Sequence, residues 1–124
     1  MANINGPVQG VLNLSNVQGN YLEVPLEFKI GDNTPIDLTT FVDIRMEVKS
    51  SYNVNETPFL TFTVGSGLTI SGINNNILSF VLDQTFWDSQ RRNWVYDIVF
   101  ENASEQRFTY IKGKITNVLT ASRT

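Results

Sequence analysis

The stretch Leu22-Glu23-Val24-Pro25-Leu26-Glu27-Phe28-Lys29-Ile30 decides the fold class. Leu22, Val24, Leu26, Phe28 and Ile30 recur with period two, opposite Glu23, Pro25, Glu27 and Lys29. That is a strand with one face in a core and the other in water. A helix would scatter the same apolar side chains around its circumference. Pro25 has no N–H to give to a ladder, so this strand is expected at a sheet edge or with a bulge there.

Working outward, the alternation returns in Val42, Ile44, Met46 and Val48, then in Leu60, Phe62 and Val64. It appears again in Leu78, Phe80 and Leu82, and in Trp94, Tyr96, Ile98 and Phe100. Phe108, Tyr110 and residues 111–115 make a return strand after a loop over 101–106, with Gly113 marking a bulge or a close approach. Turns fall at Gly31-Asp32-Asn33-Thr34-Pro35, Gly65-Ser66-Gly67 and Asn74-Asn75-Asn76. Thr85-Phe86-Trp87-Asp88 breaks the pattern with a hydroxyl three residues before an acid, a short capping box. It predicts one helical turn over 85–90, with Phe86 or Trp87 closing the end of the core. Short strands at this spacing predict an all-β protein, a single antiparallel β-sandwich.

Composition narrows the function. At 124 residues the chain holds one core. With Cys 0 and His 0 it has no disulfide, thiolate nucleophile, histidine base or Cys/His zinc site. A net charge of -3 points away from nucleic acid, and no apolar run is long enough to span a membrane. The start, Met1-Ala2-Asn3-Ile4-Asn5-Gly6-Pro7, does not read as a signal peptide, and the sequons at Asn13, Asn55 and Asn102 read as incidental. Charged residues make up 17%, against about a quarter in an average domain. Asn, Thr, Ser and Gln replace them, at 40 of 124. Uncharged polar surface is cheaper to bury in an assembly than Lys and Glu; codon bias explains the same excess of Asn equally well.

Residues 1–19 stand apart from a domain over 20–120 and a tail over 121–124. Val8-Gln9-Gly10 recurs as Val17-Gln18-Gly19, and Val8, Val11, Leu14 and Val17 are the stretch's candidate contacts. It reads as an outer strand, or as an arm that orders against a neighbour. The arm reading predicts that deleting residues 1–19 leaves a folded monomer unable to assemble.

Candidate chemistry is sparse. Asp32 with Asp37, and Asp83 with Asp88, are the nearest carboxylate pairs, both where Asp caps local backbone. Asp32, Asn33 and Asp37 offer oxygens in one loop without EF-hand spacing. The expectation is therefore no enzyme, no metal and no cofactor. Trp87 is the candidate platform for a carbohydrate ring, whereas Trp94 reads as core. Arg91-Arg92 caps the helical turn or meets an anionic group on a partner.

The order of elements carries a resemblance. Pro35-Ile36-Asp37-Leu38-Thr39 leads into a strand holding Ile44-Arg45. Leu68-Thr69-Ile70, residues 77–82, a helical turn and Trp94-Val95-Tyr96-Asp97-Ile98 follow, and a strand with Gly113 runs to Leu119. Residues 20–120 resemble the small immunoglobulin-like β-sandwich domain of tailed-phage virion proteins, including the N-terminal domain of baseplate upper proteins. Arg92-Asn93-Trp94 departs from that pattern, where glycine and tyrosine are usual, and no Gly-Asp follows the start of the first strand. The resemblance implies a bacteriophage structural subunit, an adaptor or decoration protein on capsid, neck or tail, assembled in the host cytoplasm. Its partners would be other virion proteins and its own copies, met through the sheet edge at Pro25 and the N-terminal stretch. A carbohydrate-binding module using exposed aromatics is the alternative.

Overall fold

A computed structural model describes residues 2–5, 10–30, 34–53, 55–88 and 91–119. Their strands are β1 (Ala2–Asn5), β2 (Gly10–Val11), β3 (Leu14–Val17), β4 (Leu22–Ile30), β5 (Thr34–Pro35) and β6 (Asp43–Lys49). β7 (Leu60–Val64), β8 (Gly67–Ser71), β9 (Ile77–Leu82), β10 (Asn93–Glu101) and β11 (Arg107–Val118) complete the set. A 3-10 turn spans Leu38–Thr40, and one short helix, α1, spans Gln84–Trp87. No helix among the described residues is long and apolar enough to cross a membrane.

The fold is all-β, a single sheet in the order β1-β4-β9-β8-β7-β6-β10-β11-β2, with β3 also on β11 and β5 on β4. The sheet is mixed. β1 runs parallel to β4, β7 to β8, and β2 and β3 to β11; the other contacts are antiparallel. This corrects the expectation of antiparallel pairing throughout, because alternation reports which face is buried and not the direction of the neighbour.

The sheet curls on itself. Phe28 of β4 and Phe100 of β10 lie five strands apart along the sheet, yet their ring centroids are 5.3 Å apart across the interior. Phe41 meets Phe100 edge-on at 5.1 Å. The bend falls between β7 and β8, which share only two register pairs. Gly67 stands there at φ +105°, and a Cβ on it would lie 2.2 Å from the Phe62 ring. Only glycine fits both demands.

The alternating sets fill the core as their period requires. Val24, Leu26, Phe28, Ile44, Met46, Val48, Leu78, Phe80, Leu82 and the Trp94–Phe100 set are all buried. Each contributes about 1.5–3 kcal/mol relative to exposure. Two assignments change: Val42 precedes β6 and is exposed, and Val64 at the end of β7 is exposed. The bulge of the β10–β11 pair lies where Ile98↔Ile111 gives way to Val99↔Thr109, so Gly113 is the close approach and not the bulge.

α1 begins one residue earlier than Thr85 predicts. Asp83 is its N-cap, accepting from the Phe86 N–H at 3.0 Å. The last helical carbonyl, on Trp87, accepts from Asn117 Nδ2 and from the Gly19 N–H, both at 3.2 Å. Phe86 and Trp87 both close the end of the core.

Candidate functional site

The curled sheet leaves a seam between β3 and β4. Its groove, about 510 Å³, is lined by Leu12, Leu14, Leu22, Val24, Pro25 and Leu26 among others. Which main-chain groups face it follows from the ladders. Phe28 gives its N–H to Asn76 and takes the Ile36 N–H on its carbonyl, so even-numbered residues of β4 point toward β9 and β5. Odd-numbered ones point into the seam. Pro25 is among them, and β1 pairs only with residues 26–29. In the open part of this edge the Glu23 N–H is the one donor left, and an edge short of donors resists strand addition. Pro25 therefore blunts the edge that the sequence marked as a docking place.

The opposite wall is different. Leu12 and Gln18 give their N–H groups to Lys112 and Val118 of β11, so even-numbered residues of the N-terminal stretch face β11. Asn13 and Ser15 present N–H and C=O outward, and no described hydrogen bond uses these main-chain groups. Val11, 67% exposed, and Val17 beside Val118 add apolar surface along it. Among the described residues, this is an unblocked, donor-complete strand edge.

The other sequence-marked residues scatter. Val8 lies outside the described residues. Leu14 is 9% exposed and belongs to the core, so it is no partner contact. Trp87 is fully buried and its indole N–H donates to the Leu82 carbonyl at 3.0 Å, which removes it as a sugar platform. Arg91 and Arg92 are exposed. The Arg91 Nε donates to the Asn93 carbonyl at 2.6 Å, while Asn117 takes hold of the carbonyls of both arginines. The pair thus belongs to the link into β10. Asp37 and Asp83 are occupied as caps, Asp37 by the Thr39 hydroxyl and then its N–H, which hold its carboxyl below the usual range. Asp32 and Asn33 lie outside the described residues.

A second cavity was missed by the sequence reading. Ser50, Glu56, Thr57, Phe59, Arg91 and Trp94 line a cleft of about 400 Å³. Phe59, just before β7, is 58% exposed and is held at 5.9 Å from Trp94 and 5.8 Å from Phe86. The Glu56 carboxylate accepts from the Ser50 N–H at 2.6 Å and the Ser51 hydroxyl at 3.1 Å. The Ser50 bonds come first in keeping that carboxyl below its ordinary pKa. Trp94 is 1% exposed, and its indole N–H has no acceptor. Such an orphaned donor costs about 1–3 kcal/mol. A lone Phe59 outside any alternating run gave no signal in the sequence.

The outer face of β6, β10 and β11 carries much of the charge. Asp43 pairs with Arg45 at 3.8 Å and Glu47 with Lys49 at 3.6 Å, exposed or partly exposed bonds worth little each. Across strands, Glu47 stands directly opposite Asp97. Burial, then Glu47, push the Asp97 carboxyl above its usual range, against the pull of Lys49 and Lys112. A raised native pKa means the folded state gains on protonation, so ionised Asp97 is a cost at neutral pH. Asp97→Asn is expected to raise the melting temperature at neutral pH, with the gain shrinking in acid, where the carboxyl is protonated in both states. Thermal unfolding followed by circular dichroism checks this; a loss at neutral pH would mean that the two lysines outweigh burial.

No protein-family model and no curated protein matches the chain.

Proposed function

We propose that the protein is a bacteriophage virion structural subunit, an adaptor or decoration protein that joins copies of itself and other virion proteins by strand addition at β3. The open main chain of Asn13 and Ser15, flanked by exposed Val11, Val17 and Val118, carries the reading. Main-chain hydrogen bonds supply affinity there with little demand on the partner's sequence. The domain is read as an immunoglobulin-like sandwich. One layer is β4-β9-β8 and the other β7-β6-β10-β11, with the β7–β8 bend as the shared edge. The Phe28–Phe100 contact supports two facing layers. The resembling motifs fall on ordered elements, with Arg45 in β6, Tyr96 and Asp97 in β10 and Gly113 in β11. The weakly charged, Asn- and Thr-rich composition fits a surface that is buried on assembly.

Ser15→Pro tests the edge. It removes an outward N–H and leaves the inward ladder to β11 intact, and proline is tolerated at such edge positions. Light scattering across a concentration series is expected to show the full chain associating. The variant is expected to stay monomeric with its near-UV circular dichroism unchanged. A full chain that is monomeric throughout, or a variant that associates like its parent, rejects self-assembly through β3.

A further inference from the structure

We infer that the cleft beside Phe59 is a binding site for a single pyranose ring of a saccharide. The inference is independent of strand addition at β3, which lies on another part of the molecule and uses no residue of this cleft.

Three features converge on a ligand with one apolar face and several hydroxyls. Phe59 offers an exposed aromatic ring whose position is fixed from behind by Trp94 and Phe86. The C–H face of a pyranose is the natural cover for such a ring, because its hydrogens carry partial positive charge toward the negative face of the aromatic. Glu56 offers a carboxylate already ordered by Ser50 and Ser51, with lone pairs remaining on both oxygens to accept from sugar hydroxyls. Ordering the acceptor beforehand lowers the entropy lost on binding. The indole N–H of Trp94, on a side chain lining the cleft, lacks an acceptor. That N–H is shut off from the cleft surface, so the indole serves as a reporter of the site and not as a donor to the ligand, through the Phe59 ring held 5.9 Å from it. The cavity, about 400 Å³, is of ligand-site size and takes one ring with room for its exocyclic groups.

The chain has two tryptophans, which makes the test direct. In a 15N-labelled full chain, the Trp87 indole is committed to the Leu82 carbonyl and the Trp94 indole is not. Glucose, galactose, mannose and N-acetylglucosamine are titrated to millimolar concentration, with both indole resonances followed by NMR. At least one sugar is expected to move the Trp94 indole signal saturably and leave that of Trp87 in place. Phe59→Ala is expected to weaken that binding at least about tenfold, the loss of one stacking contact of roughly 1.4 kcal/mol. Glu56→Gln, which keeps the shape of the side chain, is expected to weaken it too. A dispersed spectrum from each variant shows that it is folded, and Glu56→Gln keeps the test open should Phe59→Ala fail to fold. No saturable shift of the Trp94 indole with any of the four sugars overturns the inference. So does equal affinity in the parent and both variants.

Discussion

Deleting residues 1–19 is expected to cripple the fold, and not merely to free a monomer from its neighbours. The stretch is built into the sheet: Leu14 sits in the core and β3 covers residues 115–118 of β11. Losing Leu14 from the core costs about 2 kcal/mol. The Tyr96 hydroxyl loses the Leu12 carbonyl it donates to at 2.6 Å. Losing that bond costs roughly 0.5–1.5 kcal/mol more. The Gly19 N–H also leaves the last carbonyl of α1. Against a total stability of about 5–15 kcal/mol for a domain, the truncated chain is marginal. Urea unfolding followed by tryptophan fluorescence should show a midpoint far below that of the full chain, or no cooperative transition at all. A shorter deletion, of residues 2–9, spares Leu12 and Leu14 and is expected to cost much less. If the 20–124 fragment unfolded with the full chain's midpoint, the N-terminal strands would be ornaments on a complete core. The expectation of a free arm would then stand.

That arm reading shows where the sequence stops being legible. Alternation marks the strands because each buries one face against the same core, and α1 stands out because Phe86 and Trp87 interrupt the alternation. The partner of a strand is a different matter. β2 and β3 reach β11 about a hundred residues away and lie parallel to it. Within residues 10–17, Leu12, Leu14, Val11 and Val17 give no face assignment, since all are apolar and only the first two turn inward. The direction of Pro25 was legible as an edge signal, but its consequence was not. The missing N–H closes the β4 edge and leaves β3 as the open one. The burial of Trp87 and the exposure of Phe59 are illegible in the sequence for a similar reason. A tryptophan in a helical turn and a phenylalanine in a loop look equally exposed until the core is assembled, and the volume of Trp87 is what fills its end.

The same geometry sets Gly113 apart among the described glycines, because a side chain there would meet backbone. A Cβ built there lies 1.9 Å from the Leu12 carbonyl oxygen and 2.7 Å from its carbon, both backbone atoms. Four bonds fix the crossing. The Leu12 N–H donates to Lys112, the Tyr96 hydroxyl to the Leu12 carbonyl, the Lys114 N–H to the Asn13 side chain, and the Tyr52 hydroxyl to the Gly113 carbonyl. Burial holds the Tyr96 hydroxyl protonated well beyond the ordinary range, so it stays a donor. Gly113→Ala must push the N-terminal strand off β11 or break one of these bonds, at about 1–3 kcal/mol, and Gly113→Val more. The mechanism predicts coupling as well as loss. Tyr96→Phe releases the Leu12 carbonyl at a cost near 1 kcal/mol, leaving it free to move away from a new methyl group. In that background Gly113→Ala should cost less, with the double variant falling short of additivity by at least about 0.5 kcal/mol. Denaturant midpoints of the four proteins give the cycle. Strict additivity would place the strain of Gly113→Ala elsewhere than at the Leu12 carbonyl. A Gly113→Ala variant as stable as the parent would show that the N-terminal strand yields without cost, which would also undercut the severe loss expected on deleting it.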